Sequence, residues 1–294
     1  MFAQSRRSRR GLAGRRLVVL IVVGAMLVLV LAAVDYYVTS VSDALHIACT
    51  VEAQGGEVAF EYSGPDWFVE WCEKGNVRAF GRLVQVGHPP PPIPLAITET
   101  GVPLTPLADQ DLRRLFRIPT LKWIYLEALD RVSDEHLAGL SKTRELEILR
   151  LERPSITIVG FRYLTARKGL LRLGLAGISV DAERGECIAA LDRLEMLWLD
   201  DCRFPDGLSF IEGLGRLRNL NLAGATLDAE DVESIAQLPE LRELNVNGTA
   251  ANDAMLERLA SIKSLESLSC AGSRVTAEGA AWFRVARPDC KLEF

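Results

Sequence analysis

Few residues in this 294-residue chain have the types and spacing that chemistry needs. The three histidines, His46, His88 and His136, have no serine or cysteine nucleophile at motif spacing. No GxSxG, HExxH, phosphate-binding loop or GxGxxG occurs. Asp200, Asp201 and Asp206 have the composition of a calcium site, but a repeat frame gives two of them to a strand exit and one to a helix start. The six cysteines form no CxxC pair, which with three histidines disfavours a zinc module. Cys187, Cys202 and Cys270 fall in repeats. Cys290 falls on the strand beside Cys270 but about 13 Å out of register at ~3.3 Å per residue, too far for a disulfide. Cys49 and Cys72 remain as the pair considered for a disulfide, two free thiols being the other reading. No metal and no cofactor is expected.

The spacing that stands out suits recognition. Trp123, Tyr125 and Glu127 alternate, as do Ile148, Arg150 and Glu152, and again Met196, Trp198 and Asp200, with Arg172 between the second and third sets. Alternation puts each set on one face of a strand. Trp, Tyr and Arg dominate binding hot spots. The expected partner patch is Trp123, Tyr125, Ile148, Arg150, Arg172, Met196 and Trp198, rimmed by Glu127, Glu152 and Asp200. The competing expectation is that a proline-rich stretch or the preceding segment folds over these groups.

The elements that would position this patch are set by an internal repeat. LKWIYL at Leu121, LEILRL at Leu146, LLRLGL at Leu170, LEMLWL at Leu194, LRNLNL at Leu217, LRELNV at Leu241 and LESLSC at Leu265 follow one another in steps of 25, 24, 24, 23, 24 and 24. An eighth, truncated unit supplies Leu292 and Phe294. Positions one, four and six are apolar in every full unit. Positions four and six share one strand face, which a lone strand cannot bury, so stacked units must form a parallel sheet over a shared core. Positions three, five and seven then line the opposite, concave face. Asp, Ser or Thr opens each return: Ser133-Asp134, Asp181, Asp206, Asp228, Asp253 and Thr276 read as helix caps. Helical spacing follows, as in Phe161/Leu164 and Val232/Ile235/Leu238.

This pattern resembles the leucine-rich repeat family, over Leu107 to Phe294. The resemblance implies an α/β solenoid with a parallel concave sheet and a helical convex face. Position nine departs from the family's Asn or Cys: it holds Leu129, Pro154, Ile178, Cys202, Ala225, Thr249 and Ser273. LRELNVNGT at Leu241–Thr249 is similar to bacterial repeats of planctomycete membrane proteins, which implies a non-catalytic role in protein binding. A structural envelope component and an enzyme with a site in the segment before the repeats are the alternatives.

Leu17 to Val34 carries no charge over 18 residues. At ~1.5 Å per residue it spans about 27 Å, close to a bilayer core. Arginines crowd the first 16 residues, and Tyr36 and Tyr37 follow the run. The expectation is a basic cytoplasmic tail over 1–16, a transmembrane helix over 17–37 and the rest outside a bacterial cytoplasm. A cleaved signal is the alternative. From Asp35 on, 28 basic side chains face 39 acidic ones, which disfavours nucleic acid. Residues 38–87 are expected to form a small α+β cap over the solenoid's open edge, or else a separate ligand-binding domain. The cap would hold a helix opened by Ser42-Asp43, strands near 57–62 and 80–86, and a helix over Pro65–Asn76. A Pro-rich loop over 88–106, with a PxxP sequence, is expected to join cap and repeats, which run over 107–294. The partner is expected to be an unidentified protein.

Overall fold

A computed structural model describes residues 26–32, 41–53, 57–61, 82–87, 108–126 and 132–294. The chain divides into two units, 1–43 and 44–294. In the first, residues 26–32 form helix α1, and its side chains from Met26 to Leu31 are exposed. The rest of the expected span over 17–37 lies outside the described residues. Among the described residues no helix is long and apolar enough to cross a membrane.

The second unit is organised by one sheet of ten strands, paired in chain order. β1 (Glu57–Glu61) runs antiparallel to β2 (Arg82–Gly87), and β2 runs parallel to β3 (Trp123–Leu126). β4 (Ile148–Glu152), β5 (Arg172–Ala176), β6 (Met196–Trp198), β7 (Asn219–Asn221), β8 (Glu243–Asn245), β9 (Ser267–Ser269) and β10 (Lys291–Glu293) follow in parallel. Both strands expected before the repeats therefore form, and they extend the repeat sheet. Residues 41–53 form helix α2, which buries Ala44, Ile47, Ala48 and Val51 in the shared core. The chain is already helical at residue 41, so Ser42-Asp43 lies inside the helix and does not cap it. The expected helix over 65–76, Cys72 and the 88–106 loop lie outside the described residues.

The repeat frame appears directly in the register. Ile124, Leu149, Leu173, Leu197, Leu220, Leu244, Leu268 and Leu292 stand opposite one another across eight strands. With the sixth-position side chains they form the inner wall of the core. The outer wall is α3 (Asp109–Leu115), α4 (Asp134–Leu137), α5 (Ile158–Thr165), α6 (Ala182–Ala189), α7 (Ala229–Ala236), α8 (Asp253–Leu259) and α9 (Ala277–Ala286). Phe161, Leu164, Val232, Ile235, Leu256 and Leu259 are buried against the strands. The unit with the 23-residue step has a 3-10 turn, Ser209–Gly213, where the others have an α-helix. In the truncated last unit Leu292 packs on the core, but Phe294, expected inward at position six, is half exposed. The strand stops at Glu293, so nothing holds Phe294 in the pleat.

Three of the expected caps act differently. Asp181, Asp228 and Thr276 accept from backbone N–H groups at the starts of their own helices. Asp134 instead takes the N–H of Thr157 at 2.8 Å, and Asp253 that of Thr276 at 2.8 Å, each one unit further on. Asp206 takes the N–H of Ala182 at 2.9 Å, one unit back. These carboxylates tie successive units together at their exposed helix starts, where backbone donors have no intrahelical partner.

Position eight carries a constraint that the apolar pattern does not show. Arg153, Gly177, Asp201, Gly224, Gly248 and Gly272 all adopt left-handed backbone, with φ between 43° and 72°. The chain must turn out of the strand within one residue, and glycine does this without a Cβ clash. Position nine then closes the turn. Cys202 Sγ donates to the Leu175 carbonyl at 3.0 Å, and Thr249 Oγ1 donates to the Val246 carbonyl at 2.8 Å. Burial pushes the Cys202 thiol up to about 12, so it stays protonated as that bond requires.

A candidate protein-interaction face

The sheet face turned away from the helices carries positions three, five and seven. The third-position row reads Trp123, Ile148, Arg172, Met196, Asn219, Glu243 and Ser267 across β3 to β9. The fifth-position row reads Tyr125, Arg150, Gly174, Trp198, Asn221, Asn245 and Ser269. In the seventh row Glu152 stands beside Ala176. Parallel register therefore brings the residues expected for the patch into one block over β3–β6, apart from Glu127, which lies outside the described residues.

Within the block Arg150 is held by three neighbours. Gly174, next in its row, has no side chain, and a Cβ placed there would lie 2.8 Å from Arg150 Cγ. The arginine stem lies in that slot, and its guanidinium stands over the Trp198 ring, 5.7 Å from the centroid. Its Nη2 faces Asp200 Oδ2 at 3.8 Å. Asp200 Oδ1 accepts from Asn221 Nδ2. Burial raises the Asp200 carboxyl above the usual carboxylate range, and Arg150 partly opposes this.

The expected exposure of the patch needs correction at three residues. Tyr125, Ile148 and Met196 are 4%, 4% and 7% exposed. Ile148 stands between Trp123 and Arg172, and Met196 between Arg172 and Asn219. With strands about 4.8 Å apart, the bulk on either side closes over them. Trp123, Arg150, Glu152, Arg172, Trp198 and Asp200 are partly exposed. Burial raises the Tyr125 phenol against the nearby charges of Arg172 and Arg150. Trp123 Nε1, the Tyr125 hydroxyl, Arg150 Nε and Asp200 Oδ2 are enclosed and have no hydrogen-bond partner. Arg167 Nε, outside this face, is the other enclosed side-chain atom without a hydrogen-bond partner among the described residues.

The remaining chemistry is structural. Asp201 occupies the left-handed position and covers Gly224, and Asp206 bonds Ala182 N as described, so the aspartates near β6 each have a place in the fold. Among the described residues no cluster of His, Cys, Asp or Glu could hold a metal ion. Cys49 is exposed with a free thiol, while its expected partner Cys72 lies outside the described residues.

One constellation was missed from the sequence. Ser133 Oγ lies 2.9 Å from His136 Nδ1, and His136 Nε2 lies 2.9 Å from Asp109 Oδ1. The residue types are those of a nucleophile relay, but the geometry is that of a helix cap. Nδ1 accepts the Ser133 backbone N–H at 3.0 Å, which leaves the proton on Nε2 for Asp109. Asp109 is exposed and held below its usual range, chiefly by Arg113. The signal was the Ser-x-x-His spacing at a helix start, a capping box with His in place of Glu.

No protein-family model matches the chain, and no curated protein matches it by sequence. Among solved structures, an internalin from Listeria monocytogenes is similar at 16% identity and a TM-score of 0.48, covering 62% of this chain and 49% of that one. A leucine-rich-repeat protein from Leptospira interrogans is similar at 17% identity and a TM-score of 0.44, covering 62% and 51%. Internalin C2 from Listeria monocytogenes is similar at 16% identity and a TM-score of 0.43, covering 65% and 76%. The chain spans about half the length of the first two. Read from its own register and spacing, the second unit is an α/β leucine-rich-repeat solenoid.

Proposed function

We propose that this chain is a non-catalytic protein-interaction protein, anchored by Leu17–Val34 with its repeats outside a bacterial cytoplasm. Its partner docks on the open sheet face over β3–β6. The observation that carries the docking reading is the coincidence, on that half of the face, of two partly exposed tryptophans with four enclosed polar atoms that have no partner. A surface built only for stability leaves few such atoms, and clustered Trp, Tyr and Arg are what binding sites use. The anchoring reading rests on the uncharged run and its arginine flank.

Selection of a displayed random-peptide library on the full-length chain in detergent tests the docking site. Peptides should be enriched on the natural chain and lost on Trp123→Ala/Trp198→Ala, with the melting curve largely unchanged. Enrichment that survives the double substitution places the site elsewhere. Protease protection of a carboxyl-terminal tag in sealed cells tests the orientation: the tag should be cut from outside once any outer envelope is permeabilised. A protected tag on a chain of full mass reverses it.

A further inference from the structure

Around β3–β5 the open face offers hydrogen-bond donors that nothing accepts. Trp123 Nε1 and the Tyr125 hydroxyl are enclosed and unpaired, and Tyr125 is more than nine-tenths buried. Both side chains point from the same face of β3, flanking Ile148 on the next strand. Beyond Ile148 stands Arg172. The two arginines of the face are not equivalent. Arg150 is engaged by Asp200 and the Trp198 ring. The Arg172 side chain is partly exposed and has no ion pair among the described residues; the polar group it meets is the Tyr125 hydroxyl, within hydrogen-bonding reach. Its charge reaches the Tyr125 hydroxyl, which places it beside the unpaired donors.

We propose that this part of the face takes an extended protein segment by one internal Asp or Glu side chain, whose carboxylate accepts from Arg172, the Tyr125 hydroxyl and the Trp123 indole N–H. The inference rests on the docking reading above and names the chemistry of the partner. One uncompensated guanidinium balances one negative charge. A phosphate dianion would need more cations and would meet Asp200 and Glu152 on the seventh-position row. A buried water or a main-chain carbonyl would satisfy the donors but would leave Arg172 without a counter-charge. Asp200 Oδ2, which faces Arg150 at 3.8 Å but accepts no hydrogen bond, stands on the other side of the block and suits a backbone N–H of the same segment. Trp198 supplies an aromatic face between the two.

The library selection resolves this when the peptides are fused through their carboxyl ends, so that any acid selected is a side chain. Enriched peptides should share one Asp or Glu. Replacing that residue by Asn or Gln in the synthetic peptide should weaken binding about tenfold or more, as expected for a charge-assisted contact. Arg172→Gln should weaken the acidic peptide by a similar factor and leave its amide counterpart unaffected. Arg172→Lys should keep part of the affinity, and Tyr125→Phe should cost a smaller factor. Neither Arg172→Gln nor Tyr125→Phe should lower the melting temperature by more than a degree or so, because among the described residues Arg172 has no ion pair to lose and its contact with the Tyr125 hydroxyl lacks the geometry of a full hydrogen bond. Peptides that need Trp123 and Trp198 but ignore the acid or Arg172 would overturn the carboxylate inference and leave the docking site standing. No enrichment on the natural chain would overturn both.

Discussion

Over β7–β9 the open face answers its own hydrogen bonds. Asn245, 2% exposed, accepts from Asn247 N at 2.9 Å. Asn247 Oδ1 accepts from Ala271 N at 2.7 Å and from Ser269 Oγ at 2.9 Å. Asn221 accepts from Ala223 N at 2.9 Å. Over β3–β6 the same rows hold Trp123, Tyr125, Arg150 and Asp200, each with an enclosed atom that has no partner. Both halves come from one repeat with one register. They differ in side-chain reach: short Asn and Ser side chains bond the next turn, whereas long aromatic and Arg side chains carry their polar atoms past it. The second half is organised around the sheet itself, while the first keeps polar atoms that the sheet does not answer.

Substitutions should expose this difference, with loss of a polar group costly in the second half and not at Tyr125 in the first. The largest effect is expected from Asn245→Ala, which removes the acceptor of the Asn247 N–H in a half-buried turn. A loss of about 2 kcal/mol is expected from urea denaturation, and a loss below about 0.5 kcal/mol would mean that the second half is not held by these bonds. Gly174→Ala in the first half should cost about 1–2 kcal/mol by driving a methyl group into Arg150 Cγ. It should also lift the guanidinium from Trp198, which tryptophan fluorescence would register. A silent spectrum would show that the slot does not hold Arg150.

Gly248→Ala isolates backbone strain. Its φ is 66°, and a Cβ there meets nothing closer than 3.8 Å. A loss of about 1 kcal/mol is expected from conformation alone. Asp200→Asn tests the buried carboxyl through pH. The Asp200 carboxyl is raised in the folded chain, so between its ordinary value of 3.8 and its folded value the native state holds more proton than the unfolded state. Its contribution is therefore fully present at low pH and lost as pH rises through the folded value. Relative to Asp200→Asn, the natural chain should lose stability as pH rises above 3.8, whatever constant offset the lost Arg150 contact adds. A difference that is flat with pH would remove burial as the cause. The smallest effect is expected from Tyr125→Phe, which removes an unpaired hydroxyl and should change stability by about 0 to 1 kcal/mol in the favourable direction. A loss comparable to that of Asn245→Ala would erase the contrast between the halves.

The repeat frame made most of the second unit legible. Leu149, Leu173, Leu197, Leu220, Leu244 and Leu268 sit at position four, and all are buried in register. Their period is a covalent fact, and only stacking lets such a period bury itself. The left-handed turn at position eight was present as Gly177, Gly224, Gly248 and Gly272, but Arg153 and Asp201 interrupt the glycine column. The patch residues were legible as a set because alternation and register are both sequence periods.

Tertiary structure alone decided what each of those residues does. Asp134, Asp206 and Asp253 look like caps and serve as ties between units, because a carboxylate at a helix start bonds whichever N–H the neighbouring unit brings closest. Ser133, His136 and Asp109 come from two units, and their relation exists only once those units stack. Burial of Ile148 and Met196 follows from the wide side chains on the strands to either side, about 24 residues away in sequence. Arg150 and Arg172 are one residue type at neighbouring units, yet one pairs with Asp200 and the other has no ion pair among the described residues. The period specifies which face a side chain occupies. The space and charge left by its neighbours on that face specify its partner.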